Sequence, residues 1–448
     1  MTLKICKFGG SSLADASQFK KVKKIIETDP SRKIIVVSAS GKRFKDDNKI
    51  TDLLYLCHAH IKYGVSFDSI YSIICERFEN IVNELNLKLN ISNELNELRK
   101  KMNHGIDEAY LVSRGEYLTA RCMSDYLSYQ FIDAKEVICF KYNGQLDLTA
   151  IKEKIEKLLK LHQRIVIPGF YGSLPNGEIR LMSRGGSDIT GSILANVCNA
   201  DLYENWTDVS GILVADPKIV ENPKEIKRIT YTELRELSYM GANVLHEEAV
   251  FPVKDKNIPI QILNTNDPIS EGTLIMNDCS ELDKLDPPYF ITGISGKKDY
   301  SSITIYKSNL SNEIGTFRKA LQVCEDYHLS VESIPVGIDS FSIVISSAQA
   351  NAYLYEMMNE IKETIHADSI DVVKNLSMIA IVGRGMKFKP GMSGRLFAEL
   401  GKHDINIRLI NQGSDEITII IGVENEDFEK TIQVIYEKFI RGEKCEKI

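Results

Sequence analysis

The segment Ser183-Arg184-Gly185-Gly186-Ser187-Asp188-Ile189-Thr190 sets a cation ahead of two glycines, then small hydroxyl side chains that open the apolar run Ile189, Ile193, Leu194, Val197. Glycines permit a tight turn, and the apolar spacing is helical, so the stretch reads as a loop feeding a helix N-terminus. Free backbone N–H groups and the helix dipole favour an anion there. Near the start of the chain, Lys7-Phe8-Gly9-Gly10-Ser11-Ser12 repeats the arrangement after the short strand Leu3 to Cys6 and before a helix carrying Leu13, Phe19 and Val22. One Gly-Gly-Ser is as well explained by an ordinary α/β turn. Two, each with a cation at its mouth, point to a polyphosphate.

Working outward, Ile34-Ile35-Val36-Val37 and Ile165-Val166-Ile167 are continuous apolar runs, as buried parallel strands require. Each ends in a small-residue loop, Ser38-Ala39-Ser40-Gly41-Lys42 and Pro168-Gly169-Phe170, the end at which open α/β sheets place ligands. The stretch from Ser66 to Met102 reads as helical, and so does Asp107 to Tyr129. Gly115, inside the latter beside Arg114 and Glu116, costs a helix about 1 kcal/mol against alanine, so either the helix starts there or something approaches closely. Asp201 to Trp206 is a strand delivering Thr207-Asp208, and Ala215-Asp216-Pro217-Lys218 is a turn. Strands alternating with helices over some 260 residues predict a mostly parallel sheet covered on both faces. The paired prolines near Pro288 mark a boundary, giving a catalytic domain over 1–285.

The remainder is duplicated. A shift of 76 residues places Gly315 on Gly391, Ile303 and Ile305 on Ile379 and Ile381, and Gly337-Ile338-Asp339 on Gly413-Ser414-Asp415. Each copy reads strand, glycine loop, amphipathic helix, strand, turn, strand, helix. Two small α+β modules, 300–376 and 377–448, follow; neither carries a catalytic cluster, which suits ligand binding or assembly.

A net charge of −7 argues against nucleic acid as a partner, and no apolar run approaches membrane-spanning length. The nine cysteines are scattered without a C-x-x-C pair, which predicts reduced thiols in a cytoplasm and no zinc site. The chain lacks the Walker pattern, a G-x-G-x-x-G turn and a G-x-S-x-G elbow. What remains is a lysine, two glycine turns, a small loop and the acids Glu116, Asp188, Asp208 and Asp216, the set that phosphoryl transfer uses.

At these residues the chain resembles the aspartate kinases of the amino-acid kinase superfamily. The likeness rests on Lys7 to Ser12, Val37 to Ser40, Arg114-Gly115-Glu116, Arg184 to Asp188 and Thr207 to Ile212, in that order, and on a tail similar to paired regulatory ACT domains. The resemblance implies the amino-acid kinase fold followed by two ferredoxin-like ACT domains. It also implies transfer of the ATP γ-phosphoryl group, with Mg2+, to the side-chain carboxylate of L-aspartate. Lys7 would offset charge on the transferring group, with Asp188 holding it. The N–H groups of Gly9, Gly10 and Ser11 would cradle phosphate, while Ser38, Thr207, Asp208, Asp216 and Lys218 lie along the nucleotide. Arg184 would take one aspartate carboxylate and Glu116 the ammonium, with Thr51, Gly186 and Ser187 completing the substrate site. No residue is assigned as a metal ligand.

The likeness also implies feedback by lysine, alone or with threonine, with Glu332, Asp339 and Ser340 contacting the effector in the first copy. Arg408 replaces Glu332 in the second copy and would repel an ammonium. A strand at 290–296 is expected to complete the second ACT unit, and a homodimer or dimer of dimers is expected to form through the ACT domains. The chain departs from the family at Asn243, where a lysine near the phosphates is usual, and at Leu213 and Lys218. Lys42 is a candidate substitute for the missing charge. Two other readings stay open: a kinase for another small acid such as glutamate, and a weakly active amino-acid sensor.

Overall fold

The structure, a computed structural model, describes residues 2–183, 185–242, 245, 247–286, 289–387 and 389–442. It divides into two compact units: residues 1–212, 225–231 and 243–279 form the first, and 213–224, 232–242 and 280–448 the second.

The first unit is built on an eight-stranded sheet. Its order is Arg228–Thr230, Thr273–Met276, Ile260–Asn264, Leu202–Thr207, Lys4–Phe8, Arg32–Val37, Ile165–Pro168, Gln130–Phe131. Every neighbouring pair is parallel except Ile260–Asn264 with Thr273–Met276. The central strands are apolar on both sides because helices cover both faces. Cys6, Phe8, Ile35, Val37 and Trp206 point into a core shared with the helices Ala16–Glu27, Ile50–Lys62, Asp68–Leu85 and Glu108–Leu127. Alternate residues, Lys7 and Asn205 among them, face the other side, where the helix Gly186–Val197 packs. The helical stretch expected from Ser66 to Met102 is two helices, Asp68–Leu85 and Ile91–Asn103; Asn86 ends the first in a left-handed cap. Gly115 sits inside its helix because the chain approaches closely: an added Cβ would lie 3.0 Å from the Cβ of Ala39 and 3.3 Å from Leu54.

In the second unit a six-stranded antiparallel sheet runs in the order Val331–Ser333, Ser340–Ser346, Gly293–Tyr306, Ser369–Val382, Thr418–Glu424, Leu409–Gln412. The helices Thr316–Asp326 and Met392–Lys402 are both 11 residues long and superpose under the 76-residue shift. Each starts after a glycine in the left-handed region, Gly315 at φ 87° and Gly391 at φ 86°. The two long central strands serve both repeats: Gly293–Lys297 pairs with Met378–Val382, and Tyr300–Tyr306 pairs with Ser369–Leu376.

Candidate active site

The strands Lys4–Phe8 and Leu202–Thr207 run parallel with Lys7 opposite Asn205, so the two side chains emerge side by side on one face. The first turn of the helix Gly186–Val197 lies over that face and brings Asp188 to them. Lys7 Nζ stands 2.6 Å from Asp188 Oδ1. Asn205 closes the triangle, its Nδ2 donating to Asp188 Oδ1 at 3.0 Å and its Oδ1 accepting from Lys7 Nζ at 3.4 Å. Lys7 is 7 % and Asn205 4 % exposed, so the pair is shielded from bulk water and its geometry is fixed by neighbours rather than by solvent.

Lys7 and Asp188 line a cleft of about 540 Å³ at the carboxyl ends of the strands, and Asn205 supports them from outside its lining. Gly9, Gly10, Ser11, Ser38, Thr51, Glu116, Gly186, Ser187, Thr207 and Asp208 also line it, as do Lys42, Lys49 and Phe170. Gly10 packs against the facing loop so closely that a Cβ there would lie 2.8 Å from the Ala39 carbonyl oxygen, and Gly41 N–H donates to Gly10 O at 2.8 Å. The Gly9 N–H, expected to meet phosphate, instead donates to Trp206 O at 2.9 Å and fixes the turn to the neighbouring strand, while Gly10 and Ser11 line the cleft. On the opposite wall Gly185 adopts φ 77° and accepts from Asp188 N–H, and a Cβ on Gly186 would strike the Phe170 ring. Gly185, Gly186 and Ser187 at the start of this helix thus line the same cavity as the first glycine turn.

Glu116 is the unusual charge. It is 5 % exposed, its Oε2 has no hydrogen-bond partner among the described residues, and burial pushes its carboxyl up to about 8. The backbone N–H of Ala39 and the charge of Arg114 oppose this only partly. Arg114 itself is caged by the rings of Tyr110, Tyr117 and Tyr171, 4.4 to 5.4 Å from its guanidinium. A buried carboxyl with a free oxygen in a polar cleft suits a cationic ligand group.

Arg184 and Asn243 lie outside the described residues. Asp216 and Lys218 belong to the second unit, and the cleft is lined without them. Lys42 donates to the Lys45 carbonyl at 3.3 Å while lining the cleft. Sequence reasoning missed Asn205, Lys49 and Phe170. Asn205 is announced by no motif, only by its register with Lys7; Phe170, at φ 77°, follows the Pro168-Gly169 turn that was legible. Among the described residues no group of three or more His, Cys, Asp or Glu side chains could hold a metal, and no helix is long and apolar enough to cross a membrane. Among the described residues the eight cysteines form no disulfide.

In the second unit Glu332 Oε2 accepts from Tyr239 Oη at 2.6 Å, and Asp339 Oδ1 accepts from the Asn309 N–H at 3.1 Å. Arg408, at the position matching Glu332, lies 3.6 Å from Glu424. A cavity of about 540 Å³ lies in the second repeat between Gly391–Gly394 and Gln412–Ser414, the turn that corresponds to Gly337 and Ile338.

Residues 2–264 match the amino acid kinase family and 379–439 match an ACT domain. The chain is 38 % identical to aspartokinase 3 of Bacillus subtilis over 98 % of its own length and 99 % of that protein. The aspartate kinase of Clostridium acetobutylicum, described as an allosteric enzyme, superposes with a TM-score of 0.88 at 49 % identity, covering 98 % of this chain and 100 % of that one. Aspartokinase III of Escherichia coli, solved with aspartate and ADP and again with lysine and aspartate, shares the fold at TM-score 0.72 and 23 % identity, over 97–98 % of this chain and 99 % of that one. The chain therefore belongs to the amino acid kinase family, and within it to the aspartate kinases that carry ACT domains.

Proposed function

We propose that the chain transfers the γ-phosphoryl group of ATP to the side-chain carboxylate of L-aspartate, giving 4-phospho-L-aspartate and ADP, the step that opens lysine, threonine and methionine synthesis. The observation that carries this is the Lys7–Asp188 ion pair at 2.6 Å between two glycine turns, with Glu116 in the same cleft, its Oε2 without a partner among the described residues. A carboxylate oxygen attacks the γ-phosphorus as the bond to the ADP oxygen breaks. No base is needed, because the nucleophile is already ionised at neutral pH. Lys7 offsets charge on the transferring group while Gly10 and Ser11 donate to its oxygens. Thr51, Gly186, Ser187 and Glu116 hold aspartate, Glu116 at the ammonium, and Arg184 is assigned to a carboxylate. Ser38, Thr207 and Asp208 lie toward the nucleotide, with Asp216 and Lys218 proposed to complete its loop.

Two carboxylates in the cleft, Asp188 and Asp208, fit Mg2+, which arrives with nucleotide phosphates and takes few protein ligands. When bound, the ion neutralises phosphate charge.

The tail is proposed to comprise two ACT domains, 300–376 and 377–448, the second completed by 290–296; the pairing of Gly293–Lys297 with Met378–Val382 supports this. Lysine, alone or with threonine, is the proposed effector, held by Glu332, Asp339 and Ser340. Assembly as a homodimer or dimer of dimers through these domains, in the cytoplasm, completes the reading. The test is ADP release with MgATP and L-aspartate, with hydroxylamine trapping the acyl phosphate. Release with L-glutamate but not L-aspartate would overturn the substrate assignment.

A further inference from the structure

Within the second unit the helix Tyr231–Tyr239 is held differently at its two ends. Near its start Glu233, 0 % exposed, accepts from Thr292 Oγ1 at 2.7 Å and from the Arg384 N–H and Nη1 at 2.8 and 2.9 Å. Arg384 also pairs with Asp283 at 2.7 Å. A buried charge pair bonded this many times is costly to break. At the other end, beside the buried Leu237 and Met240, Tyr239 Oη donates to Glu332 Oε2 at 2.6 Å from a residue that is 56 % exposed. One end is fixed and the other is latched.

We infer that Tyr239 reports occupancy of the effector site: an effector ammonium that takes the Glu332 carboxylate displaces the Tyr239 phenol and frees the C-terminal end of this helix. The inference rests on the reading of Glu332 as the ammonium partner. Both groups seek the same carboxylate, and the charged donor is the stronger one. Lys297, whose ammonium lies 5.4 Å from the Tyr239 ring centroid, stays on the ring face and does not replace the lost acceptor. The freed end runs through Gly241, at φ 105°, into residue 243, where the chain re-enters the first unit. Residue 243, four positions beyond Tyr239, is where the resemblance implies a lysine near the nucleotide phosphates. Because the latch exists only in the effector-free arrangement, removing it favours the effector-bound one, and by linkage the effector then binds more tightly.

The experiment titrates L-lysine against ADP release by the full chain, with lysine binding measured by calorimetry, for wild type, Tyr239→Phe and Glu332→Gln. Tyr239→Phe should keep most of its effector-free turnover, reach half-inhibition at about five- to tenfold lower lysine and bind lysine more tightly by the same factor, the size of one ordinary solvent-exposed hydrogen bond. Glu332→Gln should titrate poorly. If wild type and Glu332→Gln behave so but Tyr239→Phe follows the wild-type curve or needs more lysine, the role of Tyr239 is overturned alone. If wild type ignores lysine, or Glu332→Gln titrates as wild type does, the reading of Glu332 falls and this inference with it.

Discussion

Replacing Glu116 with glutamine separates stability from substrate binding at one position. Burial lifts its carboxyl from an ordinary 4.5 to about 8, so between these values the folded chain keeps a proton that the unfolded chain releases. With more protons bound in the folded state, stability falls as pH rises through this window. Each unit is worth about 1.4 kcal/mol, which puts the cost near 3 kcal/mol at pH 7. Glutamine has nearly the same shape and cannot ionise. Glu116→Gln should therefore match wild type in thermal denaturation at pH 4.5 and exceed it progressively toward pH 8, by roughly 5–10 °C at pH 7. Function should move the other way. The ammonium of aspartate binds the ionised carboxylate, so the wild-type KM for aspartate should drop as pH rises from 6 to 8. In the variant KM should be raised about 100-fold and nearly flat with pH, as when a charged hydrogen bond of 1.5–3 kcal/mol is lost. A melting offset that is absent or independent of pH would refute the buried-carboxyl argument, and an unchanged KM would remove Glu116 from the substrate site.

Lys7→Met should lower turnover by about 100- to 1,000-fold with little change in the KM for aspartate, the signature of charge stabilisation in the transition state; a change confined to KM would show that Lys7 only binds. Asn205→Ala should cost roughly 10- to 100-fold in turnover by loosening the Lys7–Asp188 pair; wild-type turnover with a lower melting temperature would reduce Asn205 to a packing role. Gly10→Ala places a Cβ 2.8 Å from the Ala39 carbonyl oxygen and should abolish ATP binding in a titration, whereas Gly401→Ala, with nothing within 4 Å, should leave it intact. Glu233→Ala should destabilise the second unit by about 3–5 kcal/mol because the Arg384 guanidinium loses its buried partner; a loss under 1 kcal/mol in denaturant titration would contradict that pairing.

The mostly parallel sheet, the two glycine turns and the duplicated tail were legible in the chain because each leaves a local periodic signature. Apolar runs mark strands buried on both faces, small residues after a strand mark a ligand-facing turn, and the 76-residue shift carries the helix Thr316–Asp326 onto Met392–Lys402 to the residue. Nothing local distinguishes Asn205 from any other strand residue. Its role arises from register with Lys7 across a parallel pair whose strands are some 200 residues apart in sequence. The same holds for the Gly9 N–H, taken by the Trp206 carbonyl, and for Tyr239, which meets Glu332 from a helix that the sequence assigns to the catalytic segment. Residue type and spacing thus determined which chemistry the chain carries and where its strands and turns fall. Tertiary structure alone decided which donors remain free and which carboxyl is stripped of water, since desolvation and hydrogen-bond partnering depend on neighbours in space.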